Sequence, residues 1–203
     1  LRLGLLMTIC VVLGCTEVVI DAPVVVYERI TEESMEDLRK FLALKEGDAL
    51  YVLGSGKGAI PIYMYEHTPA YKVAGIEINP AKHQKAVASM QNRIDTDDDT
   101  REIEFICGDI LHEDFSEATV VFMNILPYTT EEVRTEDNID KRLKLIEEQR
   151  LRLTNRIASQ LKPGTRVVAI ARLTEYANLK LEGYIQLNTQ VCTARKIRCY
   201  RRI

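Results

Sequence analysis

The stretch Ala49-Leu50-Tyr51-Val52-Leu53-Gly54-Ser55-Gly56-Lys57-Gly58-Ala59 joins a short apolar run to three closely spaced glycines. An apolar run of this length is typical of a strand that is buried on both faces of a sheet. Glycines directly after such a strand let the backbone turn sharply and approach a ligand. The N–H groups at the start of a following helix point to the same place. The stretch therefore predicts a strand, a ligand-binding loop and a helix, in that order.

Strand and helix patterns alternate on both sides of this stretch. Further strands are predicted at 72–78, 103–107, 119–123 and 166–171, with one or two more within 187–203 that pair antiparallel at the sheet edge. Helices are predicted from a Thr31 cap to Leu44, over 59–67, from Asn79-Pro80 through Val87, Met90 and Ile94, and over 129–161. Strands that alternate with helices predict an α/β fold with a parallel sheet covered on both faces.

The last of these helices is highly charged. Its apolar residues recur at helical spacing and are predicted to be buried: Ile139, Leu143, Ile146, Leu153, Ile157 and Leu161. A Lys-Pro-Gly-Thr turn at 162–165 ends the helix before the next strand.

Length and composition predict a soluble globular chain with one main domain. The chain has 203 residues, 46% of them hydrophobic, and a net charge of -3, which gives no overall attraction to nucleic acid. The C-terminal segment 195–202 is locally basic, and it is a candidate for contact with nucleic acid. The apolar segment 3–16 is too short to span a membrane, and we interpret it as a buried element rather than a signal peptide.

Cysteine and histidine positions argue against a disulfide framework or a metal centre. The five cysteines include no C-x-x-C pair, which favours free thiols in a reducing compartment. The three histidines, His67, His83 and His112, lack zinc-ligand spacing, so we expect no metal site.

Polar or glycine residues follow four successive predicted strands. They are the glycine loop, Glu77, Asp109 and Asn124. Because ligands of open parallel sheets bind beyond the carboxyl ends of the strands, these residues predict one shared site.

Three nucleotide-type ligands compete for this site. A P-loop is excluded because Lys57 is followed by Gly58 instead of serine or threonine. A dinucleotide fingerprint is formally met by Gly54, Gly56 and Ala59, although no second domain for a hydride acceptor follows. S-adenosylmethionine is the third candidate, since its adenosine needs an acid for the ribose hydroxyls and a second group for the adenine.

Five segments resemble the motifs of one methyltransferase family. In chain order they are Val26-Tyr27, 53–58, 75–77, 108–111 and 121–124. They are similar to the motifs of the disruptor-of-telomeric-silencing type of histone-lysine methyltransferase, the type without a SET domain. The resemblance implies a class I, Rossmann-like methyltransferase fold, with a seven-stranded and mostly parallel sheet whose last strand is antiparallel. It also implies S-adenosylmethionine as cofactor, a histone or nucleosome as substrate, and a location in the nucleus, with the cytoplasm as the alternative.

The resemblance also implies individual roles. The implied cofactor-binding residues are Tyr27, Gly54, Ser55, Gly56, Gly58, Glu77, Asp109 and Ile110, and the implied catalytic residues are Asn124 and Tyr128. Tyr27 would lie in a cofactor loop at 24–31, within an N-terminal segment at 1–45 that precedes a methyltransferase domain at 46–203. The helical segment 129–161 would be an insert in that domain and a candidate for substrate contact.

The chain departs from the family at three places. Val52 stands where the family has aspartate, Ala59 where a polar residue is frequent, and Glu28-Arg29 where the family has Gly-Glu. A non-catalytic member of the fold that binds a partner is therefore an open alternative. Another is a methyltransferase that acts on an amide or adenine nitrogen, because residues 124–128 are similar to an Asn-Pro-Pro-Tyr loop with one extra residue.

Overall fold

The structure is a computed structural model, and it is described for residues 30–94, 100–125, 133, 135–170, 173, 178–187 and 195–203. Tyr27, Tyr128 and the segment 3–16 lie outside the described residues. The predictions made for them stay predictions.

A seven-stranded sheet forms the centre of the molecule. Its strands are β1 (Ala49–Leu53), β2 (Lys72–Glu77), β3 (Glu102–Cys107), β4 (Val120–Met123), β5 (Arg166–Ala169), β6 (Leu179–Leu187) and β7 (Arg195–Arg202). The spatial order is β3-β2-β1-β4-β5-β7-β6. The first five strands are parallel, and β7 runs antiparallel between β5 and β6. The predicted fold class is confirmed.

Four helices are described in full, and they pack around this sheet: α1 (Glu32–Leu42), α2 (Ala59–His67), α3 (Pro80–Gln91) and α4 (Ile139–Gln160). Side chains cap three of them. The Thr31 Oγ1 atom accepts from the backbone N–H of Ser34 at the start of α1, and the Asn79 and Asn138 side chains do the same at α3 and α4. These residue types are the preferred N-caps because they satisfy an otherwise unpaired backbone donor. Among the described residues, no helix is both long enough and apolar enough to cross a membrane.

The two faces of the sheet contribute to separate cores. Leu50 and Val52 of β1 belong to a cluster that contains Leu38 of α1. Tyr51 and Leu53 belong to a second cluster that contains Ile157 of α4. Successive side chains of a strand point to opposite faces, so the continuous apolar run of β1 supplies both cores.

The structure corrects the predicted long helix. α4 begins at Ile139, and residues 136–138 before it are not helical. Ile139 and Leu143 are exposed instead of buried, whereas the four later predicted residues are buried as expected. In α3, Val87 and Met90 are only partly buried, and Ala86 is the buried residue.

The C-terminal strands also differ from the prediction. β6 begins at Leu179, before the predicted region, and it forms the sheet edge, while β7 lies inside the sheet. A register shift between Leu181 and Gly183 interrupts the alternation of β6, which hides the strand in the sequence. β5 ends at Ala169, two residues earlier than predicted.

The strand order has its topological switch point between β1 and β4. From β1 the chain proceeds outward through β2 to β3, and it then crosses back to β4 on the other side of β1. In open α/β sheets the ligand crevice forms at this switch point, outside the carboxyl ends of the strands. The glycine loop and Asn124 follow directly on the two strands concerned.

Candidate active site

The glycine loop is fixed to the neighbouring strand by backbone hydrogen bonds. The N–H groups of Gly54 and Ser55 both donate to the Ile76 carbonyl of β2, at 2.9 and 3.0 Å. The Gly58 N–H donates to the Ser55 carbonyl at 3.0 Å, which closes the turn before α2. Gly54, Gly56 and Gly58 have φ angles of 76°, 60° and 84°, a region that favours glycine.

Two of these glycines are required by close packing. A Cβ atom at Gly54 would lie 3.1 Å from the Asn124 carbonyl oxygen, and one at Gly58 would lie 2.9 Å from both Ala86 and Phe105. Gly56 differs, because no atom of the described residues would lie within 4 Å of its Cβ. The loop is therefore packed at both ends and borders open space in the middle.

Glu77 supports the loop from the end of β2. Its Oε2 atom accepts a hydrogen bond from the Gly56 N–H at 2.9 Å, and its Oε1 atom accepts one from the Asn79 N–H at 2.9 Å. Glu77 is only 7% exposed. A buried carboxylate with two N–H donors is preorganised, and each oxygen keeps a further lone pair for a ligand hydroxyl.

Asp109 lies next to Glu77 along the sheet edge. The Gly108 N–H donates to the Glu77 carbonyl at 3.1 Å, so the segment after β3 is joined to the end of β2. The Asp109 Oδ1 atom accepts from the Leu111 N–H at 2.9 Å, and its Oδ2 atom lies 3.4 Å from the His112 Nδ1 atom. Ile110 is partly buried and packs against the second core.

Asn124 lies on the other side of the glycine loop. Its N–H donates to the Leu53 carbonyl at 2.9 Å, directly before Gly54. The structure therefore places the predicted glycines, Glu77, Asp109, Ile110 and Asn124 along one edge of the sheet. Tyr27 and Tyr128 are outside the described residues, so their predicted roles are untested.

Two features of this edge are visible only in the structure. Ile78 is 66% exposed although it is apolar, and it follows Glu77 directly. In the sequence, the exposure of Ile78 is indicated only by its position directly after an acid at the end of a strand. The Ser55 Oγ atom is buried and has no hydrogen-bond partner among the described residues.

Two of the three departures from the family pattern lie within the described residues, and Glu28-Arg29 lies outside them. Val52 is fully buried in the first core, where it packs with residues of α1 and α2. Ala59 is exposed at the first position of α2. Neither substitution removes a group that holds Glu77 or the glycine loop in place.

The groups along this edge of the sheet are of the chemical kinds that bind an adenosyl cofactor. Gly56 borders space that a ligand could enter, and the Glu77 carboxylate next to it is suited to ribose hydroxyls. Asp109 and the apolar side chains of Ile78 and Ile110 are suited to an adenine ring. Among the described residues, no group of three His, Cys, Asp or Glu side chains could hold a metal ion.

Comparison with known proteins supports the same class of fold. No family model matches the chain. The chain is 29% identical over 147 residues to a protein-lysine N-methyltransferase of Saccharolobus islandicus strain REY15A, an alignment that covers 72% of this chain and 76% of the relative.

Solved structures match over most of the chain. An RNA methyltransferase from Salinibacter ruber in complex with S-adenosyl-L-homocysteine superposes with a TM-score of 0.62 at 23% identity, over 86% of this chain and 93% of the other. A magnesium protoporphyrin IX methyltransferase from Synechocystis PCC 6803 with bound S-adenosylmethionine gives a TM-score of 0.60 at 14% identity, over 84% and 79%. The fold is that of the class I methyltransferases, and membership of the histone-specific family is not confirmed.

Proposed function

We propose that the protein is an S-adenosylmethionine-dependent methyltransferase that acts on lysine side chains of proteins. The observation that carries the proposal is the Glu77 carboxylate at the end of β2, which is held by the Gly56 and Asn79 amides beside the topological switch point. The lysine acceptor is supported by the 29% identical relative, which is itself a protein-lysine N-methyltransferase.

Different residues of the site would bind different parts of the cofactor. Glu77 would bind the ribose hydroxyls, Asp109 and Ile110 the adenine, and the Gly54–Gly58 loop the methionine part. When bound, the cofactor supplies an electrophilic methyl group on a sulfonium sulfur. The neighbouring solved structures hold S-adenosylmethionine or S-adenosylhomocysteine, which supports this choice of cofactor.

The protein must then present a neutral and desolvated lysine amine. Asn124 starts the segment after β4 and lies beside the glycine loop, so its side-chain carbonyl is the candidate acceptor for an amine N–H. Holding the amine in line lowers the entropic part of the barrier, and excluding water leaves its lone pair free. A lysine that loses its proton to solvent before entry needs no strong general base in the site.

The substrate proposal extends to basic chromosomal proteins. A histone or nucleosome in the nucleus is the target that the motif resemblance implies, and it is the first substrate to test. Tyr128 belongs to the proposed lysine channel, and Tyr27 to the proposed cofactor loop.

Cofactor binding is the first test. Calorimetry with S-adenosylmethionine should show saturable binding by the wild-type protein and none by Gly56→Arg, whose side chain would fill the open space beside Glu77. Gly164→Arg is the matched control, because among the described residues Gly164 also has open space around it and a positive φ, but it lies in the turn before β5. Equal binding by both variants would contradict the proposed cofactor site.

Methyl transfer is the second test. Labelled cofactor is incubated with the protein and with histones, nucleosomes and other basic proteins, and peptide mass spectrometry locates the added mass. Methyl-lysine that forms with wild-type protein but not with Gly56→Arg supports the proposal. Methyl groups found only on amide nitrogens, or only on nucleic acid, would replace lysine as the acceptor. Cofactor binding without transfer to any acceptor would favour the non-catalytic alternative.

A further inference from the structure

The β6–β7 pair projects beyond the carboxyl edge of the sheet. β5 ends at Ala169, which pairs with Arg198, so the three residues of β7 that precede Arg198 lie past the end of β5. At about 3.3 Å per residue the projection is roughly 10 Å. Leu187 and Arg195 pair at its tip.

This pair is strongly basic within an acidic chain. Residues 179–187 and 195–203 contain six lysines or arginines and one glutamate, a net charge of +5. Since the whole chain has a net charge of -3, the remaining residues sum to -8. Such an asymmetry concentrates the positive potential on one structural element.

One face of the pair combines cations with an exposed aromatic ring. Paired residues of neighbouring strands share a face, so Tyr184 lies beside Arg198, and Gln186 beside Lys196. The Lys196 Nζ atom lies 4.1 Å from the centre of the Tyr184 ring, and Tyr184 is 55% exposed. We call Tyr184, Gln186, Lys196 and Arg198 the basic hairpin face.

Within the described part of the chain, the cations of this face are not neutralised. No carboxylate among those residues lies within ion-pair distance of Lys196 or Arg198. Arg201 differs, because Glu182 pairs with it at 2.5 Å. Among the described residues, these two cations therefore have no carboxylate partner that would compete with an anionic ligand.

We propose that the basic hairpin face binds the phosphodiester backbone of nucleic acid. Backbone binding by lysine and arginine is largely independent of sequence, and an exposed tyrosine next to the cations adds a surface for unpaired bases. Because β7 lies two strands from β4, Arg198 of this face is about 10 Å along the sheet edge from the end of β4 that precedes Asn124, at the usual strand spacing.

The position of the face suggests how the proposed methyl transfer selects its substrate. A basic protein that is bound to the same nucleic acid would be held beside the carboxyl edge of the sheet, which raises its effective concentration there. This part of the inference rests on the proposed function, whereas nucleic-acid binding itself does not.

Fluorescence anisotropy tests the binding directly. A short labelled oligonucleotide, single-stranded and as a duplex, is titrated with the full chain without cofactor between roughly 50 and 200 mM salt. The double variant Lys196→Glu/Arg198→Glu should weaken binding about tenfold or more, and the slope of log K against log salt should be shallower by about 1.5. Lys85→Glu/Lys162→Glu makes the same change in net charge at exposed lysines outside the face and should bind like wild type.

Further variants keep the test decisive. If thermal unfolding shows that the double glutamate variant is damaged, Lys196→Gln/Arg198→Gln and Tyr184→Leu replace it. Absence of binding, or an equal loss in both charge-reversal variants, would overturn the proposal. Tighter binding to anionic vesicles than to either oligonucleotide, with the same dependence on Lys196 and Arg198, would assign the face to a membrane surface instead.

Methylation of a nucleic-acid-binding basic protein tests the second part. Transfer is measured with and without added nucleic acid. The Lys196→Glu/Arg198→Glu variant should lose activity only when nucleic acid is present, while its cofactor affinity stays unchanged. An equal loss under both conditions would limit the inference to binding. If neither the wild type nor the variant transfers methyl groups, the proposed function is contradicted. The anisotropy measurement of nucleic-acid binding is not affected by that outcome.

Discussion

The Oε2 atom of Glu77 lies 2.9 Å from the backbone nitrogen of Gly56, so the acid that ends β2 holds the loop that follows β1. The same carboxylate accepts from the Asn79 N–H at the start of α3. One side chain thus fixes two adjoining segments of the proposed cofactor site. Glu77 has a structural role in addition to its proposed contact with the ribose.

Replacement of Glu77 should therefore affect both cofactor binding and stability. Glu77→Gln keeps one carbonyl acceptor but places an NH₂ group against a backbone donor. Since a hydrogen bond to a charged group contributes about 1.5–3 kcal/mol, we expect cofactor affinity to fall at least tenfold and the free energy of unfolding to fall by about 1–3 kcal/mol. Calorimetry and urea unfolding measure the two effects. Glu46→Gln, at an exposed acid in the turn before β1, is the control. Unchanged cofactor affinity in Glu77→Gln would argue against the ribose role.

Replacement of Asn124 should affect turnover more than cofactor binding. Its backbone N–H already pairs with the Leu53 carbonyl, so Asn124→Ala keeps the backbone bond and removes only the side-chain amide. Loss of one aligned polar group in a transition state costs about 10²-fold in kcat. Steady-state kinetics with the best protein substrate should show this loss while the Kd for S-adenosylmethionine changes little. Asn92→Ala, at the C-terminal end of α3, should retain wild-type activity. If Asn124→Ala keeps the wild-type kcat, the Asn124 side chain has no role in the methyl-transfer step.

Gly75 should be intolerant of a side chain. A Cβ atom at this position of β2 would lie 2.8 Å from both the Phe105 ring and the Ser55 Cβ atom. Crowding of this kind in a packed core costs about 1–3 kcal/mol, so Gly75→Ala should lower the free energy of unfolding by that amount. Phe105→Leu in the same chain should recover part of the loss, as a double-mutant cycle can show. Gly183→Ala in β6 is the matched control, because no atom in the described part of the chain would lie within 4 Å of its Cβ. Equal destabilisation by the two alanines would contradict this explanation.

A cluster of charges at the amino ends of the first strands should make stability depend on pH. The Lys72 ammonium and the Tyr51 hydroxyl both contact the Glu117 carboxylate, and these hydrogen bonds hold the pKa of Glu117 below its ordinary value of 4.5. Burial lowers the pKa of Lys72, but hydrogen bonds to Glu117 and Glu104 outweigh burial and raise it overall. Glu117 therefore stabilises the fold above pH 4.5, and its contribution is lost as the pH falls through its lowered folded-state pKa.

Urea unfolding of wild type and Glu117→Gln over a pH series measures this contribution. The stability difference between the two proteins should be constant near neutral pH and should shrink below pH 4.5, because the wild type alone loses a stabilising carboxylate. Glu46→Gln, at an exposed position in the turn before β1, controls for the general effect of acid. A difference that persists unchanged down to acidic pH would show that Glu117 contributes through packing instead.

The sequence was most informative where a single residue pattern has a single structural meaning. The apolar run of β1 and the Asn79-Pro80 helix start both lie where they were predicted. Because parallel strands end at one edge, the residues that follow them could also be assigned to one site. The Glu77–Gly56 hydrogen bond could not be predicted, since it depends on the register by which Leu53 pairs with Ile76.

Patterns that depend on the extent of a neighbouring surface were less informative. The spacing of Ile139 and Leu143 correctly continues the apolar stripe of α4, yet both side chains are exposed. α4 has 22 residues and a length of about 33 Å, whereas β4 and β5 have four residues each and a length of about 13 Å. Periodicity identifies the face of a helix that is apolar. It does not show how far the sheet beneath that face extends.

This difference in coverage leads to a prediction for two isoleucines of the same helix. Ile157 is fully buried in the second core, and Ile139 is 64% exposed at the first position of α4. Ile157→Ala should lower the free energy of unfolding by about 2–5 kcal/mol because it removes buried methyl groups and leaves a cavity. Ile139→Ala should change it by no more than about 0.5 kcal/mol, as is usual for surface positions. Urea unfolding of both variants at neutral pH compares the same isoleucine-to-alanine substitution at a buried and at an exposed position. A loss at Ile139 as large as that at Ile157 would mean that another part of the protein covers the start of α4.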